Sequence, residues 1–275
     1  MENINYTDLD TKGFLVIKNF FNADTIEQLT DYYKLAFAKN QALGNDNKNH
    51  NIIKVSAQAI AITTPLLTSL VEAINQNTDI KIDKLPVATY INSALASHNW
   101  HQDHEIYYTW QTAVNSLNFW FPLIKQDPTQ TGISLIPHDA LQEKCPDLFA
   151  QHIVGKGAKR IEPGRYGYST ICDDETGEEY SVSFDLNDLA VSPEVAVGDL
   201  IILRADVFHK TQDTDTPRVA MSVRGVNSNT VVRKDVFYSG CDKKRTMIQN
   251  NLKSYQPLID QFAITDECSI SVIHP

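Results

Sequence analysis

Basic residues are a minority in this chain of 275 residues. Its 24 lysines and arginines stand against 34 aspartates and glutamates, which gives a formal net charge of −10. Most of such a surface repels polyanions, so we expect neither nucleic acid nor an anionic membrane as a partner. The apolar and charged fractions, 42% and 21%, are typical of a globular protein that buries its own hydrophobic core.

Cysteines are few, and long uninterrupted apolar runs are missing. The four cysteines are far apart and form no Cys-x-x-Cys pair, which disfavours a zinc ribbon or a redox dithiol and favours free thiols in a reducing compartment. The most apolar stretch, 52–74, is interrupted by Lys54, Pro65 and Glu72, and the first residues show no secretory signal pattern. We therefore predict a cytoplasmic protein.

No internal repeat, low-complexity tract or Gly/Ser-rich linker divides the sequence. We therefore predict a single domain over residues 1–275. A helical N-terminal part of about 20–80 is predicted to buttress a β-rich core of about 85–240.

The N-terminal part opens with an apolar run at 13–17 that predicts a strand. A helix is predicted to follow, with Asp24 and Glu27 as a capping box. A second helix is predicted over 65–75, beginning at Pro65.

The remainder changes to short apolar runs separated by Pro, Gly, Asn and Asp. These runs predict strands at 87–91, 117–123, 133–136, 180–184, 200–203 and 219–226. Parallel α/β winding is disfavoured because no regular helical pattern supplies the crossovers. We predict an all-β core with flanking helices, a sandwich or barrel of the jelly-roll kind. Residues 158–184 are predicted to form a hairpin excursion of the type that often serves as a lid, with the acidic run 173–179 as its solvated tip.

Residues 99–104, which read NWHQDH, are the most informative stretch. In an extended chain, residues two apart point to the same face, so His101 and Asp103 present an imidazole and a carboxylate side by side. His209, at the end of an apolar strand, is the candidate for a third ligand. Two histidines and one carboxylate on one face of an octahedral ion leave adjacent positions open, as in non-heme iron oxygenases.

A 2-oxoglutarate molecule bound at such an ion requires a fixed cation for its distal carboxylate, and arginine suits this task best. Arg218 lies nine residues beyond His209, after a turn-like segment, and begins the next strand. An antiparallel return would place it within reach of a small diacid. Arg224, on the same strand face, is its rival.

With these residues the sequence resembles the phytanoyl-CoA dioxygenase family of iron(II)- and 2-oxoglutarate-dependent oxygenases. The resemblance covers most of the chain and is carried by residues 13–17, 100–103, 118–123, 132–138 and 198–218. It implies a double-stranded β-helix, which is a cupin-like jelly roll. It also implies iron(II), 2-oxoglutarate as co-substrate, and O2.

The resemblance also implies roles for individual residues. His101, Asp103 and His209 correspond to the catalytic iron ligands of the family. Arg218 corresponds to the arginine that binds the 2-oxoglutarate carboxylate, and Thr211 to an assisting hydroxyl residue two positions after the distal histidine. Related halogenases replace the aspartate with a small residue, so Asp103 favours hydroxylation over halogenation.

The sequence departs from the family pattern at three places, one of which is Gln130-Thr131-Gly132, where the family usually has Asn-Gly. The segment between His209 and Arg218 is shorter than the pattern, and the 87–91 strand has no lysine where some relatives place a second co-substrate contact. Four residues are candidate substitutes for that lysine, namely Tyr90, Asn92, Asn118 and Trp120.

The residues around the motif have alternative interpretations. His98 and His104 are interpreted as solvated or substrate-facing, because their spacing cannot reproduce the ligand pair. Tyr107, Tyr108 and Trp110 either line the substrate cavity or belong to the core.

The substrate predicted from charge is a polar or cationic small molecule, such as an alkaloid or a modified amino acid of a biosynthetic pathway. An acyl-CoA is the alternative within the family. Two other classes stay open: a cupin-like hydrolase or isomerase holding zinc or manganese, and a catalytically silent β-sandwich. Desaturation, epimerisation or ring closure can follow the same hydrogen abstraction as hydroxylation. The sequence does not reveal the oligomeric state.

Overall fold

The computed structural model describes residues 4–42, 52–92, 97–250 and 252–272. The α-helices in these ranges are α1 (Asp8–Thr11), α2 (Ala23–Ala42), α3 (Ala57–Asn77), α4 (His104–Trp110), α5 (His138–Lys144), α6 (Pro146–Leu148), α7 (Lys234–Tyr238), α8 (Asp242–Asn250) and α9 (Leu252–Phe262). The strands are β1 (Phe14–Ile17), β2 (Ile52–Lys54), β3 (Lys84–Asn92), β4 (Ser116–Lys125), β5 (Ile133–Leu135), β6 (Lys159–Pro163), β7 (Ser169–Asp173), β8 (Glu179–Ser181), β9 (Leu200–Arg204), β10 (His209–Thr211), β11 (Arg218–Val226), β12 (Val231–Arg233) and β13 (Glu267–Ser269).

The largest sheet has six antiparallel strands in the order β1-β9-β4-β11-β3-β2. Its neighbours are not consecutive in the sequence, as a jelly roll requires. Each predicted strand overlaps an observed one. The predicted fold class, an antiparallel β core with flanking helices, is thereby confirmed.

A second layer is built from shorter strands. β10 pairs with β5, and β6, β7 and β8 form a three-stranded sheet. His101 joins the two parts, because it bridges His209 of β10 on one side and Arg160 of β6 on the other. The first predicted metal ligand thus lies in the middle of this layer.

The two faces of β11 have different surroundings. Val219, Met221 and Val223 face the helical side and belong to a core cluster with residues of α2 and α3. The alternate residues face the space between the two layers. Apolar side chains fill much of that space, including Trp120, Ile133, Leu135, Ile201 and Leu203.

The N-terminal helices begin at other positions than the sequence predicts. The side chain of Asn22 accepts a hydrogen bond from Thr25 N at 2.8 Å at the start of α2, so the cap is Asn22 and the capping box at Asp24 is wrong. α3 begins at Ala57, behind a Ser56 cap, and continues through Pro65. The proline is tolerated because the buried face of this helix packs in the core on both sides of it.

α3 is long and apolar enough to cross a membrane by length and composition. Its buried residues, which include Leu67, Leu70 and Ile74, pack in the cluster that covers the largest sheet. Length and composition alone are therefore weak evidence for a membrane span.

The helices near the C-terminus were not predicted from the sequence. Tyr255, Leu258 and Phe262 of α9 pack with Trp110 of α4 and Phe237 of α7 in a separate core cluster. The spacing of three and four residues between these α9 side chains was the available signal. Within the predicted β core of about 85–240, the all-β prediction is wrong at α4, α5, α6 and α7.

Candidate metal centre

His101 and His209 lie directly opposite each other. His101 N donates to His209 O at 3.0 Å, and His209 N donates to His101 O at 2.9 Å. Residues paired in this way project their side chains to the same face. The centroids of the two imidazole rings are 4.3 Å apart as a result.

Backbone carbonyls fix the orientation of both rings. Nδ1 of His101 lies 2.7 Å from Asn99 O, and Nδ1 of His209 lies 3.0 Å from Val207 O. A carbonyl oxygen can only accept, so each Nδ1 carries the proton and each Nε2 keeps a lone pair for a metal. Burial lowers the pKa of His101 to about 3 and also lowers the pKa of His209, so both rings are neutral at neutral pH.

Asp103 completes the group of candidate ligands. Its Oδ1 lies 3.9 Å from His209 Nε2, and the possible ligand atoms of His101, Asp103 and His209 all lie within 4.8 Å of one another. Two neutral imidazoles and one carboxylate that leave further positions open are the donor set of non-heme iron(II). The residues present therefore fit an iron ion.

Arg224 holds the carboxylate of Asp103 from β11. Nη1 donates to Oδ2 at 2.5 Å and Nη2 donates to Oδ1 at 3.1 Å. Burial raises the pKa of Asp103, but Arg224, together with the two histidines, outweighs burial and lowers the pKa overall. The carboxylate is thus ionised, as a metal ligand must be. The sequence offered Arg224 as a co-substrate anchor and missed this contact.

A buried polar network supports the ligands from behind. Gln102, between the two ligands of the motif, donates to Asp206 O at 2.7 Å. Arg204 donates to both carboxylate oxygens of Asp206, at 3.0 and 2.6 Å. His138 Nε2 lies 3.3 Å from Asp206 O. The network ties the motif to the turn before His209, and sequence reasoning missed it because its members are far apart along the chain.

Arg218 lies at the other end of the same face of β11. It is buried, and its Nη1 donates to the carbonyl oxygens of Thr131 and Gly132 at 2.8 and 3.0 Å. Its guanidinium lies 5.2 Å from the centroid of the Trp120 ring. Burial lowers the pKa of Arg218 to about 10, against the opposing effect of Asp213. Arg218 therefore remains a cation at neutral pH and is held in place, which fits an anchor for a dicarboxylate.

Three other predicted co-substrate contacts lie on or near this face. Asn118 and Trp120 are buried on β4, and Asn118 accepts a hydrogen bond from Ser222 at 2.7 Å. Thr211, two residues after His209, accepts a hydrogen bond from His98 N at 3.1 Å through its hydroxyl.

Tyr90 and Asn92 lie on the other face of the sheet. The Tyr90 ring packs 5.4 Å from that of Tyr33 in α2, and Asn92 donates to the Tyr33 hydroxyl at 3.0 Å. The alternation of β3 turns both side chains toward the helices. Their suggested role as substitutes for the missing lysine is therefore wrong.

A cavity of about 280 Å³ opens beside His101. His98 and His104 line it, as their substrate-facing interpretation requires, together with Arg160, Glu162 and Lys243. Tyr108 and Trp110 are buried outside this lining and belong to the core, and Tyr107 is packed with them.

The acidic run is tied to the edge of this cavity. Asp174 accepts from His104 Nε2 at 2.8 Å, from Lys243 at 2.5 Å and from Arg160 Nε at 2.8 Å. These hydrogen bonds outweigh burial and lower the pKa of Asp174 to about 2. Asp173 pairs with the buried Lys159 at 2.7 Å. The prediction of a solvated tip is wrong at these two aspartates, because cations from neighbouring elements reach them.

Comparisons with known proteins agree with this geometry. The profile of the phytanoyl-CoA dioxygenase (PhyH) family matches residues 9–221. No curated protein sequence is similar enough to be matched.

Several solved structures share the fold. EctD from S. alaskensis in its apoform has 14% identity and a TM-score of 0.57, over 85% of this chain and 80% of that chain. EctD with 2-oxoglutarate and 5-hydroxyectoine has 14% identity and a TM-score of 0.51, over 84% and 78%. The non-heme alpha ketoglutarate dependent carbocyclase SnoK from nogalamycin biosynthesis has 11% identity and a TM-score of 0.51, over 83% and 86%. Identities this low show a common fold. The family match covers most of the chain, which therefore belongs to the phytanoyl-CoA dioxygenase family of iron- and 2-oxoglutarate-dependent oxygenases.

Proposed function

We propose that this oxygenase hydroxylates an unactivated C–H bond of a small polar molecule, such as an alkaloid or a modified amino acid of a biosynthetic pathway. The observation that carries the proposal is the group of His101, Asp103 and His209 beside a small cavity whose lining is rich in charged side chains. Family membership favours 2-oxoglutarate chemistry over a cupin-like hydrolase or isomerase and over a silent sandwich.

In this proposal His101, Asp103 and His209 would hold iron(II), which supplies the activation of O2 when 2-oxoglutarate is bound with it. The chain contributes the neutral Nε2 atoms and the ionised carboxylate. Arg218 binds the distal carboxylate of the co-substrate, with support from Trp120, Asn118 and Thr211. Apolar side chains exclude water from the space between the two layers of strands. The exclusion of water strengthens the pairing of Arg218 with a carboxylate.

The substrate is proposed to enter the cavity beside His101. Its cations Arg160 and Lys243 are each paired with a carboxylate, Glu162 or Asp174. A lining with both signs of charge suits a polar or zwitterionic molecule. It disfavours the phosphates of an acyl-CoA, which require cations that are not already neutralised. The molecule bound in the EctD structure, 5-hydroxyectoine, is a small polar compound, which supports this choice.

The cysteines bear on the compartment in which the protein is proposed to work. All four cysteines lie in the described part of the chain and are free thiols, which agrees with a reducing, cytoplasmic compartment. A single domain over 1–275 and a small-molecule partner, rather than nucleic acid or a membrane, remain predictions.

The test is a substrate screen with the iron-loaded protein. We expect a member of a panel of amino acids, modified amino acids and alkaloids to stimulate O2-dependent conversion of 2-oxoglutarate to succinate and to gain an oxygen atom. Asp103→Ala is the control that should abolish both signals. Stimulation by acyl-CoA alone would reject the substrate class, and a product that only loses hydrogen would reject hydroxylation.

A further inference from the structure

Arg224 has no role in the proposal so far. It lies just beyond the residues that match the family profile, 9–221, yet it contacts a candidate iron ligand directly. Both terminal nitrogens of its guanidinium donate to the carboxylate of Asp103. This fork geometry fixes the carboxylate in orientation as well as in charge.

The two oxygens of Asp103 are not equivalent. Oδ2 has the shorter contact, 2.5 Å to Nη1, whereas Oδ1 has the longer one, 3.1 Å to Nη2. Oδ1 is also the oxygen that lies 3.9 Å from His209 Nε2. Arg224 can therefore keep Oδ2 while Oδ1 is offered to a metal together with the histidines.

The charges of the pair have a direct consequence for metal binding. Asp103 is buried, and a buried carboxylate without a partner destabilises a fold. Arg224 neutralises it, so the site presents no net negative charge to an arriving divalent cation. Once the metal is bound, the site carries two positive charges, which match the two negative charges of 2-oxoglutarate.

We propose that Arg224 is a resident cation of the metal site, which weakens the binding of a divalent metal alone and strengthens the binding of 2-oxoglutarate to the metal-loaded protein. The second half rests on the proposed function, whereas the first concerns the metal only. The metal and the co-substrate therefore each bind better when the other is present, which is a positive coupling between their sites. Arg224 acts through Asp103 and the charge of the site, so it is a positioning residue.

The experiment measures binding to the metal-free protein. Calorimetric titrations with Mn(II), with and without 2-oxoglutarate, are made for the wild type, Arg224→Gln and Arg224→Lys. Arg233→Gln is the matched control, because Arg233 makes a similar two-nitrogen contact with Asp235 on the surface, at 3.2 and 2.7 Å. Thermal unfolding of each metal-free variant is recorded beside the titrations.

We expect Arg224→Gln to bind Mn(II) alone at least about tenfold more tightly than the wild type, since a repulsive charge is removed. Its metal-loaded form should bind 2-oxoglutarate about tenfold more weakly. Its metal-free form should unfold at a lower temperature than Arg233→Gln, because Asp103 loses its counter-ion. Arg224→Lys keeps the charge and should bind Mn(II) nearly as the wild type does.

Other outcomes reject the role. Unchanged or weaker Mn(II) binding in Arg224→Gln would make Arg224 a structural ion-pair partner or a mere orienting group. If that variant does not fold, Arg224→Lys still decides, because it keeps the charge but loses the two-nitrogen contact: clearly weaker Mn(II) binding in Arg224→Lys would make Arg224 an orienting group and reject the role of a resident cation. A wild type that binds Mn(II) but no 2-oxoglutarate would refute the proposed function, while the metal titration of Arg224→Gln would still test the resident cation.

Discussion

Arg218 and Arg224 lie on the same strand and the same face, six residues apart, but their surroundings differ. Arg224 faces a carboxylate, with contacts of 2.5 and 3.1 Å to Asp103. Arg218 donates to two backbone carbonyls and lies against the ring of Trp120. Arg224 is therefore paired with a carboxylate of the metal centre, whereas Arg218 contacts backbone carbonyls and an aromatic face.

The difference shows how two residues of one type serve two tasks. Backbone carbonyls carry no net charge, so contacts with them orient a guanidinium without cancelling its charge, and burial strengthens its attraction for an anion. A guanidinium held by a carboxylate acts instead on whatever that carboxylate binds. We infer that the Arg218 end recognises the co-substrate and the Arg224 end adjusts the metal.

Asp103→Ala should have the largest effect, and it tests the Arg224 end of the strand face. The change removes a metal ligand and leaves Arg224 without its counter-ion, so the site becomes positively charged before any metal arrives. We expect Mn(II) affinity to fall by more than the about 10- to 100-fold that is typical of losing an outer-sphere partner. Calorimetry checks this, with Asp139→Ala as a control at an exposed aspartate. Retention of wild-type affinity would mean that Asp103 is not a ligand.

Arg218→Gln tests the other end, where we expect the co-substrate carboxylate to bind. The change removes the charge but keeps a hydrogen-bonding side chain, so we expect 2-oxoglutarate to bind about 100-fold more weakly. Mn(II) binding without co-substrate should not change, whereas Arg224→Gln is expected to bind Mn(II) more tightly. Titrating Mn(II) into the metal-free variants, and 2-oxoglutarate into the Mn(II)-loaded ones, measures the two effects. Equal losses in the two arginine variants would remove the division of tasks between the ends.

The part of this site that could be predicted is the part with a local pattern. The alternation of an extended chain suffices to put His101 and Asp103 on one face. The apolar run before His209 suggests the third ligand, although His209 begins β10 and does not end the strand of that run, β9. The contact between Arg224 and Asp103 joins residues 121 positions apart and depends on the registers of β11 and of the His101 bridge. No local pattern encodes such registers.

The same limit explains the other differences between prediction and structure. The strands were found because short apolar runs are a local signal, whereas the pairing of Asp174 with Lys243 depends on where α8 docks. The sequence predicts the strand that contains Tyr90 but not that its side chain faces the helices, because both faces of the apolar run 87–91 look alike.

Acid should affect the Arg224 end, which is the metal end because it contains the candidate metal ligands. The pKa of His101 is about 3 in the folded protein, chiefly because of burial, against about 6.5 when unfolded. Between these values only the unfolded chain binds the proton, so stability falls as pH drops below about 6.5 and is unaffected above it. The pKa values of His98, His104, His138 and His209 are also lowered and act in the same direction.

We expect the free energy of unfolding of the metal-free protein to fall by at least about 1.4 kcal/mol per pH unit between pH 6 and pH 4. His101→Gln should flatten this slope, and His152→Gln, at a half-buried ring that stacks on Tyr180, should not. Urea denaturation at several pH values measures the slopes. A wild-type slope that His101→Gln leaves intact would contradict the account of a neutral, buried ligand.

Alkali should affect the Arg218 end. Lys125 is paired with Arg218 across β4 and β11, and burial, together with Arg218, lowers the pKa of Lys125 to about 8 against the opposing effects of Asp127 and Asp213. Its ammonium donates to Pro128 O at 3.0 Å and Val195 O at 2.8 Å. Below pH 8 this end therefore carries two cations, and above pH 8 it carries one.

The smallest effect follows from that loss of charge. We expect 2-oxoglutarate binding to the Mn(II)-loaded wild type to weaken by about fivefold or less from pH 7 to pH 9. Lys125→Met should bind at pH 7 as weakly as the wild type binds at pH 9, whereas the exposed Lys144→Met should behave as the wild type. If Lys125→Met keeps the wild-type pH dependence, the second cation plays no part, and Arg218 alone distinguishes this end from the metal end.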